Sequence, residues 1–324
     1  MKWLALVLIA GAAQAENLPL PLDTGAEITD PDAALAAWSA TIRTRALAEG
    51  VSAATVDAAL DSVEWLPRVV ELDRRQNEFT KTIWEYLDTA VSDDRIAAGQ
   101  RALAAHGALL QGIEDRYGVD RHVIAAIWGL ESAYGAVRGD MPTLSALATL
   151  AAEGRRGDFF SDQFIQALHI IDNGHVAQVD MVGSWAGAMG HTQFLPTSWQ
   201  LWAQDWDGDG RRDIWADDPA DALASTATYL RGHGWISGQP WGVEVILPDD
   251  FDWTLARYDH RRPVSYWTSL GIRDITGAPV PDHGPAVILL PGGAEGAAFM
   301  TFANFNVIEA YNTADAYDVA VGHL

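Results

Sequence analysis

The chain has 324 residues, 49% of them apolar, enough to bury one large core or two modest ones. Its 44 acidic side chains against 21 basic ones argue against nucleic acid and anionic lipid as partners, since both need clustered Lys and Arg. There is no cysteine, so disulfides, thiol chemistry and a lipid anchor on Cys are excluded.

Met1-Lys2-Trp3, the apolar run from Leu4 to Ala10 and the small-residue site Ala13-Gln14-Ala15 predict a secretory signal over 1–15. The apolar run is too short to span a bilayer and no later one is long enough, so a soluble periplasmic protein with no membrane anchor is expected. Residues 16–30, with Pro19, Pro21 and Gly25, look like an extended lead-in. From Pro31 to Gly118 the pattern is helical, with Ala-rich segments near 32–49 and 53–62. A longer helix is expected near 93–117, opened by Asp93 and Asp94 and closed by Gly118. Between them, Gln76–Tyr86 mixes polar and aromatic residues and reads as a surface segment.

Val123, Ile127 and Leu130 give the next helix, 121–134, an apolar face. After a turn at Gly139–Pro142, short helices are expected at 143–152 and 159–171. The segment Gly183–Ser198 breaks the pattern with Gly183, Gly187, Gly190 and Pro196, and a further helix follows at 219–232. Then 243–247, 286–290 and 298–302 are strand-like, and helix returns at 304–311 and 314–324. The fold class is mainly α. An N-terminal helical region at 16–120 precedes a core at 121–240, a small β subdomain at 241–302, and C-terminal helices at 303–324 that complete the core. There is no internal repeat and no low-complexity tract.

Chemistry points first to Glu131, one position beyond the apolar face and without a basic neighbour before Arg138. A carboxyl delivered by a buried helix end is desolvated, which raises its pKa and suits a general acid for glycosidic-bond cleavage. The alternative is a surface Glu at a helix C-terminus, a position the helix dipole disfavours for an anion. The glycines of 183–198 suit a cleft wall, where backbone must approach a ligand, or equally an ordinary connector. The 14 Trp could stack on sugar rings, although most Trp in a helical protein fill the core.

Asp205-Trp-Asp-Gly-Asp-Gly-Arg-Arg-Asp213 places Asp205, Asp207 and Asp209 at calcium-loop positions, with Gly210 at the sharp turn and the Arg211 carbonyl as a further ligand. Ala216 stands where an EF-hand carries Glu, so this is not a standard EF-hand, and Asp221 is the candidate to complete the shell. Asp218-Pro219 also reads as a plain helix start, and both readings can hold together. No His-Glu-x-x-His, Gly-x-Ser-x-Gly or phosphate loop is present, and the nine scattered His read as structural.

Together, Gly129-Leu-Glu-Ser-Ala-Tyr-Gly135, Gly183–Ser198, Asp207–Trp215, Ala222–Leu230, and Tyr311-Asn312 with Tyr317–Leu324 resemble the lytic murein transglycosylase B family, glycoside hydrolase family 103. The resemblance covers roughly 30–324 in the expected order. It implies a lysozyme-like α core that cleaves the β-1,4 bond between N-acetylmuramic acid and N-acetylglucosamine in peptidoglycan without water, leaving 1,6-anhydromuramic ends. Glu131 matches the single catalytic carboxyl, acting as acid and then as base. Ser184, Gln193 and Asn312 match cleft residues that bind the sugars, and Tyr86, Tyr311 and Tyr317 fall at family aromatic positions. Asp205, Asp207, Asp209, Arg211 and Asp221 match a structural Ca²⁺ loop, and no organic cofactor is implied. Phe159 stands where some members carry Tyr. The partners implied are peptidoglycan glycan strands, and the resemblance leaves open complexes with other cell-wall enzymes. Two rivals remain: a hydrolytic muramidase using Asp140 or Asp158 to activate water, and an inactive wall-binding module.

Overall fold

The computed structural model describes residues 28–76 and 82–324; the expected leader at 1–15 and most of the lead-in lie outside the described residues. The chain divides into two compact units, each assembled from two separate stretches. One takes the chain up to Phe79 together with Ile127–Tyr229, and the other takes Thr80–Ala126 with Leu230–Leu324.

In the first unit, helix Pro31–Ala48 starts where the sequence signals it. The Asp30 side chain accepts the Ala33 N–H and Pro31 supplies a preset φ at the first position. Ser52 caps helix Ala53–Ser62, and its hydroxyl donates to Asp172 at the end of helix Gly157–Asp172. Helix Thr143–Glu153 is the centre of this unit. Every residue from Thr143 to Ala151 is buried, because Leu144, Leu147 and Leu150 alternate with Ala and small polar residues on all faces. Two of its hydroxyls are used: Ser145 and Thr149 accept the backbone N–H groups of Glu64 and Leu66 at 3.2 and 3.0 Å. Helix Pro67–Gln76 contributes Asp73, a buried carboxylate paired with Arg155 and, at 2.5 Å, with Arg156. A short ribbon, β1 (Met141–Pro142) antiparallel to β2 (Val182–Gly183), holds the segment after Glu131 against the start of the glycine-rich loop. Helix Pro196–Trp202 and the greater part of helix Ala220–Gly232 close the unit.

The second unit begins with helix Ile83–Ala90, where Thr82 and Glu85 form a reciprocal capping box. Ile83, Tyr86 and Ala90 are buried, so this part of 76–86 is an amphipathic helix rather than the surface segment expected; 77–81 lie outside the described residues. The long helix expected at 93–117 is two helices, Asp93–Ala105 and Gly107–Tyr117. His106 leaves helical geometry between them, and Gly107 behind it is a weak helix former. Four antiparallel strands follow: β3 (Gly242–Ile246), β4 (Arg273–Asp274), β5 (Val287–Leu289) and β6 (Ala298–Thr301). They lie in the order β4-β3-β6-β5. The alternating strands bury Val245, Ile288 and Met300 with Trp267 of helix Val264–Ser269. Ile83, Leu289, Phe305 and Val319 form a second cluster that joins the sheet to helices Ala303–Glu309 and Asp315–His323. The architecture is thus mainly helical with a small antiparallel sheet. Among the described residues no helix is long and apolar enough to cross a membrane.

Candidate active site

Helix Arg121–Ser132 buries Ile124, Ile127 and Leu130 and carries Glu131 in its last turn, 1% exposed. The helix stops abruptly there. Ala133 and Tyr134 both take left-handed φ, 51° and 59°, and Gly135 follows at 84°. The Ala133 N–H returns to Gly129 O at 3.1 Å and the Tyr134 N–H to Trp128 O at 3.3 Å, so the final carbonyls keep partners. Two successive left-handed non-glycine residues are unfavourable by about 1–2 kcal/mol each, and packing must hold them. The Tyr134 ring supplies that packing by lying over Gly129, where a Cβ would stand 2.4 Å from its Cζ. Both glycines of Gly129-Leu-Glu-Ser-Ala-Tyr-Gly135 therefore have steric reasons, and both serve the turn that presents Glu131.

The glycine-rich loop packs on this turn. Ser184 and Ala188 exchange bonds, Ser184 N–H to Ala188 O at 2.8 Å and Ala188 N–H to Ser184 Oγ at 3.0 Å. Met189 and Phe194 exchange both backbone bonds. Gln193, buried and at φ 55°, donates its amide to Gly190 O at 2.8 Å and to Arg138 O at 3.0 Å. A Cβ on Gly139 would meet Gly183 and Ser184 backbone, which fixes how closely the two segments lie. Glu131, Ser184 and Gln193, singled out from sequence, thus belong to one pair of interlocked segments in the first unit.

Four residues that sequence reasoning passed over join these segments. Ser132 Oγ donates to His191 O at 2.5 Å and accepts the Gly135 N–H at 2.9 Å. Trp128 Nε1 donates to His191 Nδ1 at 3.1 Å, and His191 Nε2 faces Ala216 O at 2.7 Å. Arg138 donates to Trp215 O and Ala216 O at 2.7 and 2.8 Å. The one sequence signal was that all four lie inside or beside the two glycine motifs. A pocket of about 550 Å³ adjoins them, walled in part by Arg138, His175, Asp180, Arg211 and Trp215. Of the other two carboxylates considered for water activation, Asp140 and Asp158 are exposed.

Asp205, Asp207 and Asp209 bring carboxylate oxygens within 4.8 Å of one another. The loop curls around them, with the Gly208 and Gly210 N–H groups donating to Asp205 at 2.7 and 2.9 Å and the Arg211 N–H to Asp209 at 2.7 Å. Three anions gathered on one turn suit a hard divalent cation with oxygen ligands, so the donor set fits Ca²⁺. Asp221 lies outside that group of three. Its carboxylate accepts the Trp206 and Asp213 N–H groups at 2.7 and 2.8 Å, clamping both ends of the loop, and burial pushes its pKa up to about 6.

The remaining expected site residues sit in the second unit. Tyr86 is on helix Ile83–Ala90 and Tyr317 on helix Asp315–His323, both buried. Tyr311 and Asn312 follow helix Ala303–Glu309; Asn312 Oδ1 accepts the Ala314 N–H at 3.1 Å and so starts the last helix.

A buried glutamate ending a central helix beside a glycine-rich loop, within a mainly helical fold, defines the class, and the chain belongs to the transglycosylase SLT domain family, whose model matches residues 34–324. It is similar to the membrane-bound lytic murein transglycosylase B of Escherichia coli K12, 33% identical over 215 residues. That alignment takes in 64% of this chain and only 56% of the relative's length. Among solved structures, SltB3 from Pseudomonas aeruginosa, in complex with NAG-NAM-pentapeptide, superposes with a TM-score of 0.86 at 47% identity, covering 89% of this chain and 78% of that one. The Escherichia coli lytic transglycosylase Slt35, in complex with calcium, gives a TM-score of 0.77 at 26% identity, covering 88% of this chain and 90% of that one. The family resemblance and the lysozyme-like, mainly α fold expected from sequence are borne out.

Proposed function

We propose that this protein is a lytic transglycosylase that cleaves the β-1,4 bond between N-acetylmuramic acid and N-acetylglucosamine of peptidoglycan, with Glu131 as its only catalytic carboxyl. The observation that carries the reading is the burial of Glu131 at the end of helix Arg121–Ser132, in the turn that Ser132 ties to His191 of the loop carrying Ser184 and Gln193. Burial favours the protonated carboxyl, the form a general acid needs. Protonation of the bridging oxygen by Glu131 lets the C1–O bond break as the muramyl acetamido oxygen bonds to C1. The Glu131 carboxylate then takes the C6 hydroxyl proton while O6 displaces the acetamido oxygen, closing the 1,6-anhydro ring. Glu131 ends protonated as it began, and no water is consumed. One carboxyl suffices because the nucleophiles belong to the substrate, whereas hydrolases generally need a second.

Ser184 and Gln193 would hold the sugars beside Glu131; Asn312, Tyr86, Tyr311 and Tyr317, which lie in the second unit, are assigned to substrate binding on the family resemblance alone. The names of the E. coli relative and of the SltB3 complex support glycan strands as the substrate. Asp205, Asp207 and Asp209 would hold a Ca²⁺ whose role is to stiffen the loop, with the Arg211 carbonyl and Asp221 assigned as further ligands on the family resemblance alone, a reading that the calcium complex of Slt35 supports. With a leader at 1–15 the enzyme would work in the periplasm, and residues 121–240 are read as its catalytic part. The test is Glu131→Gln, which keeps the shape and removes the proton. It should abolish release of soluble muropeptides from purified cell wall, and full retained activity would end the assignment.

A further inference from the structure

We propose that His191 is the positioning residue for Glu131, a neutral imidazole that locks the catalytic helix end to the segment leaving the acidic loop. The inference rests on the reading of Glu131 as the catalytic acid. Sequence reasoning treats His191 as one more structural histidine, but its surroundings define its state. The Trp128 indole N–H can only donate, so His191 Nδ1, 3.1 Å away, must present its lone pair. The ring proton then sits on Nε2 and is aimed at Ala216 O at 2.7 Å, a carbonyl that can only accept. With that tautomer the 3.3 Å approach of the Arg138 guanidinium to Nε2 is a meeting of two donors, and Arg138 uses its hydrogens on Trp215 O and Ala216 O instead. Both ring nitrogens are thus committed to fixed partners. His191 is buried, so it positions rather than exchanging protons with substrate.

The backbone of His191 completes the lock. Its carbonyl accepts from Ser132 Oγ at 2.5 Å, and its N–H donates to Ile214 O at 3.1 Å. Glu131 lies between the two residues so tied, Trp128 one turn before it and Ser132 directly after. The Cε1–Nδ1 edge of the ring is also packed by Gly135, where a Cβ would stand 2.5 Å from both atoms. Any side chain at position 135 would therefore displace the ring. A line of contacts runs from the Glu131 turn through the backbone and ring of one residue to Ile214 and Ala216, just past the last aspartate of the acidic loop.

The test compares His191→Phe, which keeps a planar aromatic ring, one atom larger, and removes both nitrogens, with His191→Gln, which offers an acceptor and a donor in place of them. Misplacing a reacting group by about 1 Å lowers rates on the order of 100-fold. We therefore expect His191→Phe to lower kcat by about 10- to 100-fold with KM within about threefold of wild type, and His191→Gln to restore kcat to within about threefold. Equal impairment of the two variants, or a His191→Phe enzyme with unchanged kcat, would overturn the proposal. If His191→Phe does not fold, Trp128→Phe removes the same indole bond and should show the same loss of kcat at unchanged KM. Nitrogen-15 imidazole spectra of the wild type must show the proton on Nε2, and a proton on Nδ1 would equally overturn it. Glu131→Gln separates the two levels: an active Glu131→Gln enzyme refutes the catalytic reading, whereas an inactive one beside a fully active His191→Phe enzyme refutes only the role of His191.

Discussion

Asp318 sits in helix Asp315–His323 of the second unit with 0% exposure, and among the described residues neither of its carboxylate oxygens has a hydrogen-bond partner. Burial, followed by the nearby Glu309 and Asp315 charges, pushes its pKa up to about 9. The folded protein therefore holds this proton across a pH range in which the unfolded chain, with an ordinary Asp near 3.9, has lost it. A folded pKa above the unfolded one means stability is fullest below about pH 4 and is lost as pH rises towards 9. The slope is at most about 1.4 kcal/mol per pH unit, so between pH 6 and 8 this one group removes up to roughly 3 kcal/mol. Asp318→Asn keeps the shape and the neutral state and removes the titration. Urea unfolding of both proteins at pH 6, 7 and 8 should show Asp318→Asn gaining on the wild type by up to about 1.4 kcal/mol with each unit. If the two stability curves run parallel over that range, Asp318 is either hydrated or paired in solution and the argument from burial fails.

Removing divalent cations with a chelator should lower the thermal midpoint, because a ligand held only by the native loop at about 100 times its Kd contributes roughly 2.7 kcal/mol. Asp205→Asn should erase most of that difference, and a midpoint indifferent to calcium would argue against the metal. Asp73→Ala should cost about 3–5 kcal/mol in denaturant melts, since it leaves the part-buried Arg155 and Arg156 without their shared carboxylate. Gly129→Ala should destabilise by about 1–3 kcal/mol and lower activity out of proportion, because the new methyl displaces the Tyr134 ring that braces the Glu131 turn. A thermal melt alongside a cell-wall digestion reads both effects.

Much of the fold could be read along the chain because its signals are local. Asp30 with Pro31, and Ser52, mark helix starts, and the Asp205–Asp213 spacing marks its loop by residue type alone. Glu131 was legible for a similar reason, as an acid at the end of an apolar face. Helix Ile83–Ala90 was not, since its Trp84, Glu85 and Tyr86 look polar and aromatic until Ile83 is seen packing with Leu289, Phe305 and Val319 from far along the chain. The ribbon of β1 and β2 has only two residues a side, too short for any alternation to show. The assembly of each unit from two distant stretches is likewise invisible in sequence order. His191 shows the limit most clearly. Its partners Trp128 and Ser132 lie 63 and 59 positions away, so nothing in its neighbourhood announces that it faces the Glu131 turn.

In the proposed reaction Glu131 lends a proton and recovers it from the sugar itself, with no water entering the product. Digesting purified peptidoglycan with the wild-type protein and weighing the released muropeptides tests this directly. Every new muramyl end should be the 1,6-anhydro form, one water lighter than the corresponding reducing sugar. Reducing muramic ends as the main product would show that water is the nucleophile and that a second carboxylate is at work.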